Sequence, residues 1–539
     1  MPKIGKNVLE NLTQGMYKDS LIIYREYIQN AADQIDKAQA NNAFPGEELE
    51  IRIDTDDRAR RIVIEDNANG IPMAEVERRL ADVADSEKVQ GEEKGFRGIG
   101  RLGGLAYCKE LRFVTTYAGE AQQTTMIWDA ERLEKILNDR SDHSSAEEIL
   151  DRIIRYEHEP CDETAHFFRV ELIDVRESND RLSDVEKVRD YISEVAPLDY
   201  GETFDTLAHK IYAFADDNED QSPPPREERT LRLHQYKILV NGEQLYRPYS
   251  TYIYKTKDGK KVQFDELRDI QIDLIKTLEG EVVAWIWYGI SCFKETMRGK
   301  PYGGLVGLRL RQFNIEIGDD HTLDKFFKEQ RGNGYFIGEV HTLLPDLIPN
   351  ARRDYFVEND ALTKFEEALE EYVKNHLDKL YHDGSTINSS FNNIAKYDEL
   401  KDKYDQKQAK GFTSRAEEEK LRAAVEDAQK RAEEAEKKIK RLVERAEQSQ
   451  SSPLNKMVKL VLRDRNRDQT QFERQPDRPS DIEHKKKPKP KFMVDELTQL
   501  KKSERKLVST IYEVIQKNLP PPCSETIIKK IHVKLGGKA

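Results

Sequence analysis

The chain has 539 residues, 37% of them hydrophobic and 35% charged, with a formal net charge of −13. That length predicts about three to four domains at roughly 150 residues each, and the charged fraction predicts long solvated helices beside ordinary cores. No apolar run approaches the roughly 20 residues needed to span a bilayer, the first residues lead into no signal-peptide core, and the four scattered cysteines have neither metal-ligand spacing nor a disulfide framework. The expectation is a soluble, cytoplasmic chain with no membrane partner.

From residue 20 to 40, Leu21, Tyr24, Ile28 and Ile35 recur at helical spacing, which predicts an amphipathic helix. Glu26 and Asn30 are four apart on it, so their side chains stand one above the other. The pair suits metal-assisted hydrolysis: an amide oxygen is a hard ligand for Mg²⁺, and a carboxylate can take a proton from water. Residues 49–53 and 61–65 alternate apolar with polar, which predicts two strands around a turn at Asp56, Asp57 and Arg58. Asp66 ends the second strand, and Gly70 permits close backbone approach in the turn after it. Residues 81–93 are polar. Gly95, Gly98 and Gly100 then leave N–H groups free to cradle an anion at the start of a helix. No Gly-Lys-Ser/Thr follows, so this is not a Walker loop. Strands are expected at 111–117, 124–128 and 166–175, with a charged helical insertion over 130–156.

In this order, the segments Arg25-Glu26-Tyr27-Ile28-Gln29-Asn30-Ala31-Ala32-Asp33, Glu65-Asp66-Asn67-Ala68-Asn69-Gly70-Ile71 and Gly95-Phe96-Arg97-Gly98-Ile99-Gly100 resemble the GHKL ATPases. That superfamily is named for gyrase, the ninety-kilodalton heat-shock chaperone, histidine kinases and MutL; this chain looks most like its prokaryotic heat-shock-90 type. The resemblance implies an α+β protein whose residues 1–200 form an α/β sandwich of the Bergerat kind, one mixed sheet with helices on one face, binding ATP and Mg²⁺. It implies Glu26 as catalytic base, Asn30 as magnesium ligand and Asp33 as a pocket residue. Asp66 would accept the adenine amine beside Gly70, and Thr164 would bond near the base. Residues 81–93 would form a lid with Ser86 and Lys88 near the phosphates, which Gly95, Gly98, Ile99 and Gly100 would cradle. Two departures stand out: Ala68 replaces the first glycine of Asp-x-Gly-x-Gly, and no glycine precedes Thr164.

Strand-like segments at 236–240, 282–288, 307–311 and 334–343 place a second, transducer-like α/β domain over 201–384. Within it, Leu347-Ile348-Pro349-Asn350-Ala351-Arg352-Arg353-Asp354 resembles the chaperone loop that brings an arginine to the γ-phosphate. The likeness implies a catalytic cation at Arg353, with Arg352 second. Residues 385–450 read as a coiled coil: Ser414 opens a helix whose seam runs Leu421, Val425, Ala428, Ala432, Ala435, Ile439, Leu442 and Ala446. That helix would fold back on 391–410 or pair with a second subunit. Residues 451–495 read as a flexible basic linker with a lysine run at 485–491, and 496–539 as a small helical segment. From 453 onward, 21 Lys+Arg against 11 Asp+Glu give +10, leaving −23 on the preceding residues.

These readings predict a homodimeric ATP-gated clamp that hydrolyses ATP, chaperone-like on a protein client. The alternatives are a MutL- or MORC-like clamp on nucleic acid, in prokaryotic genome or phage defence, and an ATP-binding scaffold without turnover. A histidine kinase is disfavoured by the acid at Glu26 and by the lack of a phospho-accepting helix ahead of it.

Overall fold

A computed structural model describes residues 5–13, 19–81, 100–217, 233–298, 305–449, 452–471 and 490–537. The chain divides into two units, one of Met1–Ile290 with Thr296–Asp378, the other of Ser291–Glu295 with Lys379–Ala539.

Eight strands of the first unit make one sheet: β1 (Glu50–Asp56), β2 (Arg61–Asp66), β3 (Glu110–Thr116), β4 (Gln122–Asp129), β5 (Ile154–Pro160), β6 (Phe167–Ile173), β7 (Lys237–Val240) and β8 (Glu243–Gln244). Their order is β5-β4-β3-β6-β2-β1-β7-β8. The β1–β7 pair is parallel and its neighbours antiparallel, so the sheet is mixed. Alternation in β1 and β2 buries Ile51, Ile53, Ile62 and Ile64. The helix Ile22–Ala40 packs on these two strands, burying Ile23, Tyr24, Ile28, Ala31 and Ile35.

Two expectations need correction here. Residues 236–240, read as part of the second domain, extend the first sheet, because Ile238 and Val240 lengthen the apolar layer begun by Ile51 and Ile53. Residues 130–156 are not one helical insertion. They form the helices Ala130–Asn138 and Ala146–Ile153, and the chain then turns into β5, which pairs along β4.

Further along, β9 (Tyr252–Lys257) and β10 (Lys260–Glu266) make a separate two-stranded hairpin. A second sheet holds β11 (Asp269–Lys276), β12 (Val282–Ile290), β13 (Gly307–Gln312), β14 (Ile315–Glu316) and β15 (Ile337–Thr342) in the order β11-β12-β15-β13-β14. The helix Asp360–Tyr372 packs on β11 and β12.

At the centre of this sheet lies a fully buried ionic cluster. The Glu339 carboxylate accepts from Arg247 Nη1 (2.6 Å), Arg311 Nε (2.6 Å), Tyr200 Oη (3.0 Å), Tyr249 Oη (3.1 Å) and Trp287 Nε1 (3.1 Å). Burial works to raise its pKa, but Arg247 and Arg311 hold it well below the usual carboxylate range. Burial also pushes the neighbouring His341 down to about 4, so at pH 7 a neutral imidazole meets the Glu339 carboxylate at 3.0 Å. Arg311 donates as well to the carbonyl of Glu194 (2.7 Å), on the helix Val185–Val195 that follows the first sheet.

The second unit is helical. Asp378–Lys410 and Arg415–Glu447 are joined at Gly411, which has φ +94°. They run antiparallel, with Lys407 paired to Glu417 beside the turn and Arg445 to Asp383 at the far end. Ala428, Ala432, Ala435, Leu442 and Ala446 of the expected seam are buried; Leu421, Val425 and Ile439 are half-buried. Residues 453–471 are a helix, Pro453–Gln471, rather than linker: Met457, Val458 and Val461 are buried, and Lys294 pairs with Asp464 at 2.9 Å. Lysines 485–487 and 489 fall outside the described residues. The helices Lys502–Asn518 and Pro521–Lys534 share a small core of Val494, Leu497, Val508, Tyr512 and Ile528. Among the described residues, no helix is long and apolar enough to cross a membrane.

Glu339→Gln leaves two buried guanidinium groups without a compensating charge. The expected result is a loss of about 3–5 kcal/mol from the first unit, read as a lower urea midpoint by tryptophan fluorescence, since Trp287 is a direct reporter.

Candidate active site

The helix Ile22–Ala40 carries Glu26, Asn30 and Asp33 at positions i, i+4 and i+7, one stripe of its surface. Glu26 and Asp33 are buried at 7% and 3% exposure, and Asn30 is half-buried. Acidic groups rarely sit so deep without a task. Two elements close on Glu26. One is the 3₁₀ segment Gly100–Ala106: a Cβ at position 100 would stand 2.1 Å from Glu26 Oε2, so a side chain there would displace the carboxylate from its present position. The Tyr27 hydroxyl fixes the segment, donating to the Arg101 carbonyl (3.0 Å) and accepting from Gly104 N–H (3.2 Å).

The other element is the loop after β15. Asn350 pairs back through its N–H to the Tyr355 carbonyl (2.9 Å), and Val357 N–H bonds to the Ile348 carbonyl (2.7 Å). At its apex Arg353 has φ +54°, a left-handed conformation that costs roughly 1–2 kcal/mol outside glycine. In that conformation Arg353 Nε donates to Glu26 Oε1 at 2.6 Å, with both side chains largely buried. Gly318 supports the apex, its N–H bonding to the Arg353 carbonyl at 2.9 Å; a Cβ there would stand 2.8 Å from the Asp354 carbonyl. Arg352 turns its side chain to solvent and contributes only its carbonyl, 3.4 Å from Arg25 Nη2. Arg25 is itself buried and also reaches the Glu316 carbonyl at 3.3 Å. Sequence reasoning gave Arg25 no part; the signal was a cation on the buried run Tyr24–Tyr27.

The third component is the turn after β2. Asp66 is 2% exposed and accepts from Ala68 N–H at 3.2 Å; burial pushes its carboxyl up to about 8. Gly70 has φ +66°, and a Cβ there would lie 1.9 Å from the Thr116 carbonyl. Ala68 is buried and has no positive φ, so alanine is held there without backbone strain. The Thr115 hydroxyl accepts from Ile71 N–H (2.8 Å) and donates to the Phe167 carbonyl (2.9 Å).

Thr164 does not join this turn. It is exposed, and its N–H and hydroxyl both bond to the Asp162 carboxylate, at 2.9 and 2.8 Å. His166 meets the turn instead, with Nδ1 3.0 Å from the Ala68 carbonyl and its ring stacked on Phe44 at 3.6 Å. Strand register explains the difference: β6 sets Phe168 opposite both Asp66 and Thr115, so the residues just before it face the turn. Thr115 and His166 were thus missed by a reading that lacked the register. Ser86, Lys88, Gly95, Gly98 and Ile99 lie outside the described residues.

Among the described residues, no group of three or more His, Cys, Asp or Glu could hold a metal ion. The donor set suits Mg²⁺ nonetheless, because that ion takes one or two protein oxygens and fills its sphere with phosphates and water. The Asn30 amide is such an oxygen.

Residues 23–159 match the family described as histidine kinase-, DNA gyrase B- and HSP90-like ATPase. The chaperone protein HtpG of Chromobacterium violaceum is 31% identical over 135 residues, which is 22% of this chain and 21% of HtpG. HtpG of Psychrobacter arcticus is 30% identical over 139 residues, again 22% and 21%. HtpG of Shewanella baltica is 28% identical over 144 residues, 23% of each protein. The chain therefore spans about a fifth of the length of the curated relatives it matches. Carried on an α+β fold, this match identifies the N-terminal part of the chain as a GHKL-type ATPase domain, distantly related to the HSP90-like HtpG proteins.

Proposed function

We propose that the chain is a Mg²⁺-dependent ATP hydrolase that works as an ATP-gated conformational clamp. The observation that carries the reading is the Arg353–Glu26 pair, in which a loop of the second sheet already touches the acid of the nucleotide-binding helix. Asp66 would accept the exocyclic amine of adenine, with the Asp66–Gly70 turn shaped around the base. Asn30 would hold the magnesium, which would neutralise phosphate charge. Glu26 would take the proton of the attacking water.

Arg353 is seated on Glu26, so a carboxylate oxygen that would take the proton of water already accepts a hydrogen bond. A γ-phosphate carries more negative charge and offers a bidentate acceptor, so the guanidinium would move to it. One movement would then free the base and stabilise the transferred charge.

A homodimer acting on a protein client follows the likeness to HtpG, which reaches only the N-terminal part of the chain. A nucleic-acid client is the second reading, favoured by a cationic hairpin in the first unit.

Glu26→Ala should abolish steady-state hydrolysis while ATP binding persists in calorimetry; loss of both would remove Glu26 from the base role. Arg353→Ala should lower kcat by about 10³-fold with little change in ATP affinity. A faster variant would show that the arginine only restrains Glu26.

The folded pKa of Asp66 lies above the unfolded value, so its contribution to stability is full in acid and fades as pH rises toward 8. Adenine needs the carboxylate, so ATP affinity should rise by about tenfold between pH 7 and 9. Thermal melts of nucleotide-free Asp66→Asn should lack this part of the parent's decline toward pH 8.

A further inference from the structure

The β9–β10 hairpin is built as a ribbon anchored at one end. Its base is fixed by buried Ile253 and Asp265 and by Leu267 N–H bonding to the Thr251 carbonyl at 2.7 Å. From there two strands of six and seven residues run to a tight turn at Asp258 (φ +51°) and Gly259 (φ +74°). That is a reach of about 20 Å.

Register sorts the side chains. Tyr252, Tyr254 and Thr256 share one face with Gln263 and Lys261, because Tyr254 lies opposite Gln263 and Thr256 opposite Lys261. This is the face away from buried Ile253, and it exposes Tyr252 at 46% and Tyr254 at 38%. Lys261 Nζ stands 5.9 Å from the Tyr254 ring centroid. At the tip, on the other face of the ribbon, Lys257 lies directly opposite Lys260, an arrangement that weakens a hairpin through like-charge repulsion. Neither lysine has an ion-pair partner among the described residues. Within residues 254–263 there are four lysines and one acid, on a chain whose net charge is −13.

Lysines alone would be explained as protection of a strand edge against aggregation. Two exposed tyrosine rings on the same face are not, since they add the apolar surface that such protection removes. Aromatic rings with Lys261 beside them and two more lysines at the tip of the ribbon match a polyanion that also offers flat apolar faces. An acidic peptide supplies the charge but not the faces, and duplex DNA hides its faces in the stack. We propose that the β9–β10 ribbon is a binding surface for single-stranded nucleic acid, with Tyr252 and Tyr254 stacking on bases and Lys257, Lys260 and Lys261 pairing with phosphates. The proposal does not rest on ATP turnover, and its test needs no nucleotide.

The test is fluorescence anisotropy of labelled 30-mers of deoxythymidine and of uridine, each titrated with the full chain at 50–200 mM salt. A mixed-sequence duplex and poly-glutamate serve as competitors. The expected result is binding of one or both single strands. Lys257→Glu/Lys260→Glu/Lys261→Glu should abolish it, and Tyr254→Ala should weaken it about tenfold with the salt slope unchanged. Thermal melts of the same variants by circular dichroism should match the parent, showing that they are folded. The ratio of the two 30-mers identifies DNA or RNA. No binding by the parent would overturn the proposal. So would a triple-lysine variant that binds like the parent, or affinity that instead follows deletion of residues 485–491. Displacement by poly-glutamate or by duplex at equal charge would reassign the ribbon to an acidic protein or to double-stranded DNA.

Discussion

The pair between Glu26 and Arg353 joins residues 327 positions apart, and much of the first unit is arranged to permit it. Arg353 adopts a left-handed conformation that opposes folding by roughly 1–2 kcal/mol. Removing one partner of a buried ion pair typically costs about 3–5 kcal/mol, so the contact outweighs the strain that enables it. Supporting groups are small or backbone-directed: Gly318 leaves room for the apex, Gly100 leaves room for the carboxylate, and Arg25 ties the helix to the Glu316 and Arg352 carbonyls. An arrangement held by charge and backbone contacts, rather than by apolar packing, can be undone by a competing anion without disturbing a core.

The second link between the two sheets is of the opposite kind. Glu339 is enclosed by two arginines, two tyrosines, a tryptophan and a neutral histidine, all buried. Arg311 continues from it to the Glu194 carbonyl, and Arg309 from Glu316 at 2.8 Å toward Glu194 at 3.8 Å. No solvent anion reaches this cluster, and any change of register in β13 or β15 would strand a charge in the interior. It therefore fixes how the helix Val185–Val195 meets the second sheet, while the loop that follows β15 carries Arg353 to Glu26 through a single ion pair.

Legibility in the sequence followed the range of the interaction. The helix Ile22–Ala40 and strands β1, β2, β3 and β13 were readable because their apolar periodicity is local. Glu26 and Arg353 could each be singled out, but their contact is tertiary and left no trace in spacing. Thr164 was preferred to His166 because residue type was visible and strand register was not. The helix Pro453–Gln471 was taken for linker because its charges outnumber the apolar stripe of Met457, Val458 and Val461, whose burial depends on partners distant in the chain. Likewise β7 was assigned by its place in the chain, when what decided its position was a parallel pairing with β1.

The turn after β2 shows why one glycine of a pattern can be lost and another cannot. Position 70 combines a positive φ with a carbonyl 1.9 Å from any Cβ, and both demands exclude a side chain. Position 68 makes neither demand, and the Ala68 methyl lies in the core while its N–H still reaches Asp66. Asp66 thus accepts a hydrogen bond from the Ala68 amide and lies so deep that burial pushes its carboxyl up to about 8. The neutral carboxyl is the form this site tolerates, and the charged form that appears as pH rises toward 8 is desolvated with one backbone amide as donor, so the same burial that shifts the group opposes folding in alkali.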